Sequence, residues 1–204
     1  MYHNNNIIRG YNFFYNYVFK LLNNIPIDLE EADEETMKKL NLKYSKGLGT
    51  VWLLNLKRLY EIFLKHYDEK NYNFIDIGCG NGIPLIYAYK RFNFNSYSGF
   101  DFEKRYVENT KINIESSIKK PYTVEVFHQE AQNYLLEESK SFFIFMFNPF
   151  DGVIMEKFLK NNIEKLKKNK SVIAYCNYIE IETLKKFCKD IIFIKRYKLA
   201  LIKF

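Results

Sequence analysis

Phe74-Ile75-Asp76-Ile77-Gly78-Cys79-Gly80-Asn81-Gly82 decides how this chain folds. Phe74, Ile75 and Ile77 form an apolar run that predicts a buried strand, and a helical pattern begins directly after Gly82. Between them three glycines recur at every second position, where no side chain obstructs the backbone. Such a turn lets a ligand approach the main chain and sit at a helix N-terminus. Asp76, two positions ahead of the first glycine, fixes a negative charge at the strand end. The stretch therefore predicts a cofactor site.

Outward from that loop the pattern alternates. Strands are expected near 73–77, 96–101, 122–127, 141–147, 171–176, 190–195 and 197–203, with helices near 83–93, 104–119, 131–138, 153–168 and 179–188. The unbroken apolar run Phe142 to Phe147 suits a strand covered on both faces, as in a parallel sheet. The last two strands are nearly contiguous and must reverse direction. The expected fold class is α/β: a Rossmann-like, doubly wound seven-stranded sheet with an antiparallel last strand, preceded by an N-terminal helical leader. Residues 1–50 form that leader and 51–204 the domain. Within the leader, 11–23 read as helix, Asp28 to Glu31 as a capping box opening a second helix to about 41, and Tyr44 to Thr50 as a connector. A further helix is expected over 51–67.

Composition narrows the function classes. The 204 residues carry a formal net charge of +7 with 31 Lys+Arg against 24 Asp+Glu. That balance permits nucleic acid or an anionic surface as partner. The richness in Asn, Ile, Tyr and Phe is also what an AT-rich genome produces, which discounts the charge. Lys157, Lys160, Lys165, Lys167, Lys168 and Lys170 make a local basic run whose helical spacing reads as a solvated face. Cys79, Cys176 and Cys188 show no paired spacing, so free thiols in a reducing, cytoplasmic setting are expected. His3, His66 and His128 are scattered, and no metal is expected. Residues 11–22 are apolar but interrupted by Asn12, Asn16 and Lys20, and too short to span a bilayer.

The ligand can be approached by elimination. A dinucleotide site would favour Gly-x-Gly-x-x-Gly, and this chain has Gly78-x-Gly80-x-Gly82. Asp101 ends the second expected strand beside the loop, where a carboxylate can accept hydrogen bonds from both ribose hydroxyls. Phe102 is placed to cover one face of an adenine. Glu130 and Ala131 follow the third strand, where an acid can accept from an exocyclic amino group. Each has a plainer alternative: Asp76 as a helix cap, Asp101 as a turn residue, Glu130 as a favourable charge at a helix start. Cys79 reads as a small neutral loop residue, and His128 as an ordinary strand-end residue.

These residues resemble class I S-adenosylmethionine-dependent methyltransferases, the seven-stranded Rossmann-like group, over roughly residues 72–204. A nearer likeness is to little-characterised bacterial members whose fourth strand ends in Asn-Pro-Phe, here Asn148-Pro149-Phe150. The resemblance implies S-adenosyl-L-methionine as cofactor. It implies that Asp76 and the loop (Ile77, Gly78, Cys79, Gly80, Gly82) hold the methionine portion, Asp101 the ribose, and Glu130 with Ala131 the adenine. It also places Asn148 beside the cofactor, with Asn148 and Asp151 as candidate catalytic residues that orient the acceptor. The implied activity is methyl transfer to an O or N nucleophile of a small molecule or a surface-polysaccharide sugar. RNA or protein methylation, and cofactor binding without turnover, are the alternatives. An aminopropyl transferase would share the fold but call for acids where Asn148 stands.

Overall fold

A computed structural model describes residues 6–26 and 51–204. The capping box at Asp28–Glu31, the second leader helix and the Tyr44–Thr50 connector lie outside the described residues. The chain runs α1 (Asn6–Leu22), α2 (Leu53–Phe63), β1 (Tyr72–Ile77), α3 (Ile83–Arg91), β2 (Tyr97–Asp101), α4 (Lys104–Ser117) and β3 (Val124–His128). It continues with β4 (Ser141–Phe147), α5 (Gly152–Lys168), β5 (Val172–Cys176), α6 (Ile181–Lys185), β6 (Asp190–Ile194) and β7 (Leu199–Lys203).

All seven strands join one sheet in the order β3-β2-β1-β4-β5-β7-β6. The first five pair in parallel, and β7 runs antiparallel between β5 and β6. The order reverses beside β1, with β2 on one side and β4 on the other. In open α/β sheets a crevice opens outside the carboxyl ends of the strands at that point. The glycine loop leaves β1 there.

Side chains alternate along each strand and feed two separate apolar cores. Phe74, Phe143 and Phe145 face α2, α3 and the end of α4. Ile75, Ile77, Ile144 and Met146 face α5 and α6. Phe143 is a hub for aromatic packing, with ring centroids 5.1 Å from Phe63, 5.3 Å from Phe94 and 5.9 Å from Phe74. Such contacts convert the high aromatic content into a sheet with little freedom to shift.

The leader helix turns Asn12, Asn16 and Phe19 inward. Asn16 accepts from the Leu53 backbone N–H at 3.1 Å and donates to the Val51 carbonyl at 2.6 Å, tying α1 to the start of α2. Tyr15 and Tyr87 share a hydroxyl hydrogen bond of 2.9 Å, which ties it to α3.

The expected helix over 131–138 is absent. A single 3-10 turn, Ala131–Asn133, gives way to an extended segment. Asn162 explains the difference. From the middle of α5 its fully buried side chain accepts from Leu136 N–H at 2.7 Å and donates to the carbonyls of Tyr134 and Phe158 at 2.8 and 2.9 Å. The side chain answers the backbone groups that a helix would have paired internally. Asn162→Ala leaves those groups buried and unpaired, and a loss of roughly 1–3 kcal/mol is expected. Urea unfolding checks this, and an unchanged midpoint would show that Asn162 does not pin the segment.

Candidate functional site

The loop after β1 takes its shape from its glycines. Gly78, Gly80 and Gly82 have φ of +73°, +54° and +75°, a region that side chains other than glycine's adopt at a cost. Two of them are also closely covered. A β-carbon at Gly78 would lie 2.5 Å from Cβ of Pro149, and one at Gly82 would lie 2.5 Å from Cγ2 of Thr110. Gly78 and Cys79 both donate to the Phe100 carbonyl, at 2.9 and 3.0 Å, so the loop folds back onto β2. Gly99 on β2 accommodates that approach, since a β-carbon there would meet Leu85 and Cys79. Gly82 then starts α3 without a side-chain cap.

Two residues of α4 hold the loop from above. The Thr110 hydroxyl donates to the Gly80 carbonyl at 2.6 Å, and Asn113 Nδ2 donates to the Asn81 carbonyl at 2.9 Å. Both are fully buried. The sequence reading missed them, although polar residues three apart on an otherwise apolar helix face were the available signal.

Asp101 meets the loop from β2. Its Oδ2 accepts from Gly80 N–H and its Oδ1 from Glu103 N–H, both at 3.0 Å. The end of β3 closes the same edge. Gln129 N–H donates to the Asp101 carbonyl at 2.9 Å, and His128 Nε2 donates to the Phe102 carbonyl at 2.6 Å. A carbonyl only accepts, so that ring nitrogen carries a proton. Phe102 leaves 37% of its surface exposed at this edge. Glu130 is also exposed, with Oε2 accepting from Gln132 and Asn133, while Ala131 is buried.

Asp76 and Ile77 are buried at the end of β1. Asp76 is 2% exposed, and its Oδ2 has no hydrogen-bond partner. Burial pushes its carboxyl well above the ordinary carboxylate range, and the charge of Asp101 pushes the same way. Burial raises Asp101 too, partly offset by the N–H groups of Glu103 and Gly80. Cys79 is pushed well above the usual thiol range by burial and by these acids, so it stays protonated and is no nucleophile.

On the other side of β1, β4 ends in Asn148, Pro149 and Phe150. Asn148 is buried with φ of +47°. Its Oδ1 accepts from the Tyr175 hydroxyl at 3.1 Å. Tyr175 is a third residue that the sequence reading missed, because its role depends on β5 lying next to β4. Asp151 caps α5, its Oδ1 accepting from the N–H groups of Val153 and Ile154 at 3.0 and 3.1 Å. That work occupies one of its oxygens and leaves the other. Among the described residues no cluster of His, Cys, Asp and Glu could hold a metal ion, and no helix is long and apolar enough to cross a membrane.

Residues 68–196 match a family model described as a methyltransferase domain. The chain belongs to that methyltransferase family. Among solved structures the domain is similar to an RNA methyltransferase from Salinibacter ruber in complex with S-adenosylhomocysteine, at 11% identity and TM-score 0.54, covering 77% of this chain and 92% of that one. It is similar to a proposed rRNA methylase from Clostridium thermocellum, at 16% identity and TM-score 0.54, covering 74% and 97%. A proposed methyltransferase from Streptococcus mutans, also holding S-adenosylhomocysteine, matches at 15% identity and TM-score 0.52, covering 72% and 97%. Another proposed methyltransferase solved with S-adenosylhomocysteine is covered over 51% of its length, so the chain spans about half of that protein. No curated protein matches.

S-adenosylmethionine is the cofactor of this methyltransferase fold. The site fits it on its own evidence. A buried carboxylate oxygen without a partner, close to a second buried acid, suits a ligand that carries positive charge. In the free protein the strain of that acid pair is measurable. Because the folded pKa of Asp76 is raised, its stability contribution is full below the unfolded value of about 3.9 and is lost as pH rises through the folded value. Asp76→Asn removes that loss. The variant is expected to melt close to the parent near pH 4 and several degrees above it at pH 7, while no longer binding S-adenosylhomocysteine. Melting curves against pH check the sign, and a variant less stable than the parent at pH 7 would refute it.

Proposed function

We propose that the chain transfers a methyl group to an O or N nucleophile of a small molecule or sugar held beside Asn148. The observation that carries this reading is the unanswered oxygen of Asp76, set against Asp101 and the glycine loop. S-adenosylmethionine supplies a methyl already activated on a sulfonium. Asp76 would receive the ammonium of its methionine portion, with the backbone of Ile77 to Gly82 lying alongside. Asp101 would accept from the ribose hydroxyls, Phe102 would cover the adenine, and Glu130 with Ala131 would border its edge.

What remains for the protein is alignment of the acceptor and exclusion of water. Asn148 is the side chain placed for it. It follows β4, and its neighbour Pro149 packs against Gly78. Asp151 contributes by anchoring the start of α5 beneath the Asn-Pro-Phe turn rather than by proton transfer.

The small-molecule reading is favoured over nucleic acid by what the basic run touches. Lys157 donates to Gln132 at 3.0 Å, Lys160 pairs with Glu156 at 2.7 Å, and Lys165 donates to the Leu136 carbonyl at 2.7 Å. Half of that run is thus spent on the protein itself, which weakens it as a phosphate-binding face.

Calorimetric titration with S-adenosylhomocysteine tests the assignment. A one-to-one complex is expected, weakened at least tenfold, or about 1.4 kcal/mol, by Asp101→Ala. Absence of binding, or binding indifferent to Asp101, would sink the reading.

A further inference from the structure

The hydrogen bonds behind Asn148 have a direction. Glu180 donates its backbone N–H to the Tyr175 hydroxyl oxygen at 3.3 Å. A backbone N–H can only donate, so the phenol is the acceptor in that contact and retains its own proton to give. That proton goes to Asn148 Oδ1, 3.1 Å away. Burial holds the Tyr175 phenol up at about 12, so it remains a donor throughout the working pH range. The relay Glu180 to Tyr175 to Asn148 therefore fixes which way round the Asn148 amide sits. Its oxygen is engaged, and no described residue bonds its nitrogen, although Asn148 is only 8% exposed. The amide nitrogen is not one of the fully buried unpaired atoms among the described residues, so its N–H groups open onto the space beside the turn, where an acceptor on the ligand can meet them.

We propose that this relay selects the methyl acceptor by its polarity, turning the Asn148 amide nitrogen toward the substrate and so admitting an ionised oxygen, a carboxylate or an acidic phenol. The inference rests on the reading that the methyl acceptor lies beside Asn148. An exocyclic amino group conjugated to a ring offers N–H donors and a poorly available lone pair, so it meets the amide N–H face to face. An oxygen anion accepts the N–H bond that faces it. The groups around it offer little base: Tyr175 keeps its proton, already directed at Asn148, and Asp151 Oδ1 is engaged by two backbone N–H groups. Of the two, only the second Asp151 oxygen is left to take a proton from a neutral nucleophile. With an ionised oxygen none has to be removed. The oxygen forms its bond to the methyl carbon, the carbon–sulfur pair stays on sulfur, and an anion and a sulfonium become an ether or ester and a thioether.

A pair of isosteric chromophores tests the polarity without turnover. The full chain, saturated with S-adenosylhomocysteine, is dialysed to equilibrium against 4-nitrophenol at a pH where it is ionised, and separately against 4-nitroaniline. The nitrophenolate is expected to bind at least tenfold more tightly. Tyr175→Phe leaves the charge unchanged but frees the amide to turn over, and should shrink that preference severalfold. Asn148→Asp, which keeps a residue tolerant of positive φ but removes the N–H bonds, should abolish it. Three results overturn the inference: nitroaniline bound as tightly as nitrophenolate, a preference unmoved by either variant, or neither probe bound by protein that holds the cofactor product. Failure to hold S-adenosylhomocysteine in the same dialysis is a separate outcome, and it removes the underlying methyltransferase reading as well.

Discussion

Asp76 is almost wholly buried at the end of the central strand, and one of its oxygens is answered by nothing in the described protein. A second buried acid, Asp101, stands close enough to raise it further. Burying an acid in this way costs free energy unless it is neutralised or paired. The remainder of the fold supplies the rigidity that lets the cost persist. Phe143 and its aromatic neighbours lock β1 to β4 on one face. Thr110 and Asn113 pin the loop from α4, and the Phe100 carbonyl receives two loop N–H groups. A looser domain would relieve the acid pair by letting water in. This one keeps both acids buried.

The glycine loop shows how such a site is held without a flexible part. Its left-handed turns are roofed by Pro149 on one side and Thr110 on the other, so the positions that must be glycine are fixed by contacts as much as by φ. The same Pro149 follows Asn148, the residue expected to face the acceptor. Donor loop and acceptor turn therefore share a van der Waals contact. A β-carbon at Gly78 would disturb both halves of the site, which is a structural reason for the two motifs to occur in one chain.

Much of this was readable beforehand, and the limits were physical. The strand–loop–helix around Gly78 to Gly82 and the antiparallel ending follow from local pattern, and both families of strands occur where alternation placed them. The helix expected over 131–138 failed because its fate lay in Asn162, a residue about thirty positions away whose amide pairs with the segment's backbone. Asp101 was legible as a strand-end acid beside the loop, but its grip on Gly80 N–H was not, since that depends on the register of β2 against β1. Tyr175 was invisible for the same reason: β5 reaches Asn148 only through sheet order. The leader was legible as a helix, but not its buried face, which takes Asn12 and Asn16 with Phe19 while Phe13, Phe14 and Tyr17 stay exposed.

The contrast between Asp151 and Asn148 shows why proximity in sequence is a weak guide to role. Both follow β4 within four residues, and both carry short polar side chains. Asp151 spends an oxygen on the first turn of α5, where unpaired N–H groups and the helix dipole favour a carboxylate. Asn148 takes a left-handed backbone conformation that costs free energy for most residues and less for asparagine. Its oxygen is paired, and its nitrogen is without a partner among the described residues. A cap explains its residue fully; a strained, buried and half-satisfied amide does not explain itself. Of the two, Asn148 is the one that leaves hydrogen-bonding capacity open at the turn.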